Sequence, residues 1–133
     1  MIDYVDRSNS SYQPGVCNIG SAEVRRRRRI GYLGLAGTVG LGAFLLAVDV
    51  PAALRVLVAA PAAMGIAGFL QARLRFCAGY GMAGLRNLGE LGQQESVEDA
   101  QARAADRRRA QRVHAATAAG GLLVGLAFAL LPL

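Results

Sequence analysis

The sequence predicts an all-α integral membrane protein with three transmembrane helices, at about residues 30–48, 52–70 and 113–131. Three observations lead there. Apolar residues make up 53% of the 133 residues and are gathered into blocks, so three stretches lack the wet face that each helix of a soluble domain carries. Each block is about 19 residues long, enough to cross ~30 Å of hydrocarbon at 1.5 Å per residue. All 15 basic residues are Arg, and they crowd the flanks of the blocks, almost all on one side of the predicted membrane. The exclusive use of Arg, with the excess of Ala and Gly, reads as the coding bias of a GC-rich bacterium.

Residues 1–20 are polar and turn-rich, with Ser8, Asn9, Ser10, Ser11, Pro14 and Gly15. They are expected to form a flexible or surface-bound tail ahead of a membrane domain over 21–133. Asp3 and Asp6 stand where a secretory signal carries positive charge, and the apolar block begins only at residue 30, so a signal peptide is not expected. Ser21 is the expected N-cap of the first helix, with Glu23 in the first turn where the helix dipole favours an acid. Then Arg25, Arg26, Arg27, Arg28 and Arg29 run without interruption into the first block.

That block, Ile30 to Val48, carries no charge. Gly31, Gly34, Gly37 and Gly40 recur at every third position. Small residues three and four apart leave a groove that lets another helix approach closely, and that helix is either within the chain or outside it. Asp49 to Pro51 form a short turn, with Pro51 suited to the first turn of the next helix. In the second block Arg55 lies near the far interface, within reach of Asp49. Pro61 is expected to kink the helix at mid-span.

Residues 71–112 form the polar loop. Over about 73–92, Arg73, Arg75 and Arg86 mix with Phe76, Tyr80, Met82 and Leu85, as in a short interfacial helix or turn at headgroup level. Ser96 and Asp99 then read as a capping box, with Asp99 and Arg103 as a favourable pair one turn apart. The helix from about 97 continues unbroken into the third block. Over 97–131 it would be ~52 Å long, so that its first third stands clear of the membrane. Gly120, Gly121 and Gly125 offer a second close-packing face, and Pro132 ends the helix.

Orientation follows from the arginines. Arg7 and Arg25–Arg29 precede the first block, and Arg73, Arg75, Arg86, Arg103, Arg107, Arg108, Arg109 and Arg112 lie in the loop, against Arg55 alone on the other side. The positive-inside rule places the N-terminus and the loop in the cytoplasm and Leu133 outside, in a multi-pass protein of the cytoplasmic membrane. The same arginines make contact with anionic lipid headgroups the expectation for Arg25–Arg29, Arg107, Arg108, Arg109 and Arg112. Their place beside apolar blocks argues against nucleic acid as the partner, despite a net charge of +6.

Candidate chemistry is sparse. Gly79, Gly81 and Gly84 match G-x-G-x-x-G, but no strand precedes them and no parallel sheet surrounds them, so helix packing or a tight turn is the reading. Cys17, Cys77 and His114 fall at one predicted depth and are the candidate ligands for zinc or copper, or a disulfide pair in the case of the cysteines. Their spacing matches no metal motif, and the cytoplasm is reducing. The chain has a single His and no carboxylate lies inside a span, which argues against hydrolysis, and no ionisable residue lies at mid-membrane, which argues against ion-coupled transport. The expected role is therefore a non-catalytic accessory or structural subunit without a cofactor, packing against other transmembrane helices in a homo-oligomer or larger complex. A redox or metal-binding protein using Cys17, Cys77 and His114, and an oligomeric small-solute pore, are the alternatives.

Overall fold

The computed structural model describes residues 12–132. Residues 1–11, with Arg7 and most of the expected tail, and Leu133 lie outside the described residues. The order is α1 (Ser21–Ala47), a 3-10 helix (Ala52–Val58) running directly into α2 (Ala59–Leu74), α3 (Ala78–Ala83), strands β1 (Leu85–Arg86) and β2 (Glu95–Ser96), and α4 (Ala100–Leu130). The strands pair antiparallel, Leu85 opposite Ser96 and Arg86 opposite Glu95. Three helical stretches are long and apolar enough to cross a membrane: Ser21–Ala47, Ala52–Leu74 and Ala100–Leu130.

The second of these lies in the middle. α1 packs along α2 on one side, α4 packs along α2 and the 3-10 segment on the other, and α1 and α4 make only marginal contact with each other. Glycine sets the closeness of both seams. A side chain at Gly34 would overlap the Gly65 backbone and one at Gly68 the Gly31 backbone, so α1 and α2 cross at backbone distance. On the other seam a Cβ at Gly121 would stand 2.7 Å from the Ala63 Cβ, and one at Gly125 2.8 Å from the Ala59 Cβ. Helices with such stripes gain dispersion contacts along their whole length. Within the chain, the expected face of α1 thus meets Gly65 and Gly68 of α2, and that of α4 meets Ala59, Ala63 and Ile66 on the opposite side of the same helix. Gly40 is different: a Cβ there would meet nothing within 4 Å.

Several boundaries differ from the expectation. Gly20, not Ser21, is the N-cap of α1, and no side chain caps it. The Gly20 N–H is held by the Asn87 carbonyl at 2.9 Å and its carbonyl accepts from Val24 N at 3.0 Å, so backbone bonds do the work of a cap. Pro61 does not fall mid-helix. It is the third residue of α2, where the lost donor has little intrahelical bonding to disrupt, and the irregularity becomes a change from 3-10 to α geometry at Val58 and Ala59. Arg55 donates through Nη1 to the Leu131 carbonyl at 3.4 Å, bridging the far ends of two helices.

α4 begins at Ala100 rather than near 97. Ser96 belongs to β2, and the Val97 N–H donates to the Gly84 carbonyl at 2.8 Å, which holds this stretch extended. Asp99 becomes the N-cap itself, its carboxylate accepting from Ala102 N at 2.8 Å. The helix has 31 residues and is about 46 Å long. Its first turns, with residues 12–20, α3 and the hairpin, form a folded cap at one end of the bundle.

Residues 12–20 are the larger correction. Their composition predicts a flexible or surface-bound tail, yet Asn18 and Ile19 are fully buried. Asn18 N and Ile19 N both donate to the Arg75 carbonyl, and Asn87 N donates to the Asn18 carbonyl at 2.9 Å. Ile19 packs with Val24, Ala72 and Cys77. The polar composition that suggests a tail is the material of a hydrogen-bonded clamp.

Candidate functional site

The cap is built around two buried carboxylates. Glu23, on the first turn of α1, has no exposed surface. Its Oε2 accepts from the Tyr80 hydroxyl at 2.7 Å and from Asn87 Nδ2 at 2.9 Å, and Arg27 Nη1 lies 3.3 Å from Oε1. Arg27 also donates through Nη2 to Cys77 Sγ at 2.8 Å and lies over the Tyr80 ring. Asn18 closes the set reciprocally: Cys77 N donates to Oδ1 at 2.7 Å, and Nδ2 donates to the Cys77 carbonyl at 3.1 Å. Asp106 on α4, equally buried, accepts from the Tyr12 hydroxyl and from Gly15 N at 2.7 Å. Burial, and then the bond to the neighbouring carboxylate, raise the Tyr12 and Tyr80 hydroxyls above the ordinary phenol range.

Sequence reasoning missed this network. One signal was present: Ala102, Asp106, Ala110 and Val113 share a helix face, and all four are buried, so Asp106 stands in a line of core positions rather than on the arginine-rich face. The G-x-G-x-x-G glycines serve the same cap. A Cβ at Gly81 would meet the Phe76 ring at 2.8 Å and the Ala110 Cβ at 3.0 Å, and Gly84 takes the left-handed conformation that ends α3.

The three candidate metal ligands are placed apart in character. Cys17 and Cys77 are both free thiols. Cys17 Sγ donates to the Ile19 carbonyl at 3.5 Å, and burial raises its pKa against the opposing effects of that bond and of Arg75. Cys77 is buried beneath Arg27, and His114 lies exposed on α4. Among the described residues no group of three or more His, Cys, Asp or Glu side chains is placed to hold a metal ion.

The candidate lipid arginines divide in two. Arg27 and Arg109 turn inward, Arg109 donating to the Gly15 carbonyl at 3.2 Å and lying over the Phe76 ring. Arg25, Arg26, Arg28, Arg29, Arg107, Arg108 and Arg112 are exposed. Arg25, Arg28 and Arg29 line a recess of about 210 Å³ with Tyr32.

Because α1 and α4 flank the second helix without closing on each other, a groove runs between them. One cavity of about 530 Å³ is lined by Leu35, Thr38, Ile66, Phe69 and Val124, with Arg73 at its cap end. A second, of about 320 Å³, continues past Thr38 and Val124 toward Leu46 and Phe128. At the other end Leu70 is shared with a recess holding Arg109 and Arg112. Comparison with family models, with curated proteins and with solved structures gives no match.

Proposed function

We propose that the chain is a small, non-catalytic subunit of a bacterial cytoplasmic membrane, which acts by packing α1 against a transmembrane helix of another chain, a second copy first of all. The observation that carries this reading is the outward face of α1. Ala36, Gly40 and Ala47 fall along one line of the helix, and Gly40 opens onto empty space, whereas the other candidate glycines meet atoms of the chain itself. Close approach needs small residues on both helices, and a two-fold axis supplies the same stripe twice. The flanking Leu33 and Phe44 are exposed and would wrap the crossing point.

Orientation in this reading follows the arginines: the cap in the cytoplasm, the Arg55 end outside. The exposed arginines of the cap end then meet anionic headgroups of the inner leaflet. Gentle detergent extraction followed by native mass measurement tests the assembly. Paired or multiple copies are expected for the native chain and monomers for Gly40→Leu; a stable monomer in the native chain contradicts the proposal.

A further inference from the structure

The groove between α1 and α4 is charged at one end only. Its walls are apolar, and Thr38, the polar side chain in its length, turns back to donate to the Gly34 carbonyl of its own helix at 2.7 Å. At the cap end Arg73 lines the same cavity and Arg112 the adjoining recess. Both are exposed, and among the described residues no carboxylate lines the groove or the recess. A wholly apolar transmembrane helix seated there would bury the walls but bring nothing of opposite charge to the two guanidinium groups.

We propose that the groove holds one acyl chain of an anionic phospholipid whose phosphate is bound by Arg73 and Arg112. A hydrocarbon tail fits an apolar trough opened along the bundle, and guanidinium forks match phosphate oxygens two at a time. The site rests on the membrane reading above, but not on the pairing of α1, since Gly40 lies on another face of that helix.

The chain contains no Trp, so a single introduced Trp reports its own surroundings. Leu35→Trp places one in the groove and Leu123→Trp places one on the exposed flank of α4; both positions are open enough to accept the ring. Val39→Trp, also exposed, is a second groove reporter should the first disturb folding. Each variant is reconstituted in phosphatidylcholine vesicles with a minor fraction of acyl-brominated phosphatidylglycerol, or of brominated phosphatidylcholine instead. The groove reporter is expected to be quenched more steeply than Leu123→Trp by the anionic lipid, with a preference that falls about fivefold for each of Arg73→Gln and Arg112→Gln. Equal quenching at both positions, or an anionic preference that survives both Arg substitutions, overturns the proposal. A groove reporter shielded from every lipid while Leu123→Trp is quenched also overturns it, since a protein helix then fills the groove. No quenching at Leu123→Trp overturns the membrane reading as well.

Discussion

Glu23 shows how little a residue's type says about its role. At the first turn of a helix an acid is expected to interact with the dipole from the surface, yet this one is buried and shared between Arg27, Tyr80 and Asn87. Removing one member of such a set strands the others without water. Glu23→Ala is therefore expected to cost about 3–5 kcal/mol, read as a large fall in the melting temperature of the detergent-solubilised chain. The double variant Glu23→Leu with Arg27→Met should recover part of it, because no charge is left buried. The tyrosines give a pH dependence. Their hydroxyls titrate higher in the folded cap than in an unfolded chain, so the stability they supply is complete below about pH 10 and is lost as pH rises further. Thermal melts across the alkaline range should show this decline, and Tyr12→Phe with Tyr80→Phe should flatten it.

Among the elements, the long helices were legible because each contains an apolar block, broken by charge only at Arg55 near one end of the second, and a length of about 19 residues has few other uses. Their ends were less so. Ser21 and Ser96 have the right chemistry for caps, but backbone bonds from Asn87 and Gly84 reach those points first, and such long-range partners leave no local pattern. The glycine stripe of α1 was readable as a packing face, although not that Gly65 and Gly68 would fill most of it. The two kinds of glycine separate by substitution. Gly34→Leu drives a side chain into the Gly65 backbone and should cost about 3 kcal/mol or more, whereas Gly40→Leu should leave the melting temperature of the isolated chain nearly unchanged. Parallel melts of the two variants check the difference.

At the scale of the whole molecule, the cap and the groove were both invisible in the sequence for the same reason: each depends on which distant segments meet. Residues 12–20 read as tail material until Arg75 and Asn87 supply their partners. The groove exists only because the second long helix stands between the other two. What the sequence did carry was the sidedness of charge, and the fold keeps it, with the cap arginines at one end and Arg55 at the other beside Leu131. An accessibility label on an added cysteine near Asp49 should react from outside intact cells, and one on the exposed Glu90–Leu91 turn only after permeabilisation; the reverse pattern would invert the assigned orientation. The central claim is that α1 pairs with its own copy through Gly40. The most direct measurement is oxidative cross-linking of Gly40→Cys in intact membranes, with Leu123→Cys as the control. The account predicts a disulfide-linked dimer at position 40 and none at position 123. A monomer at position 40, or cross-linking at position 123 as complete as at position 40, would contradict it.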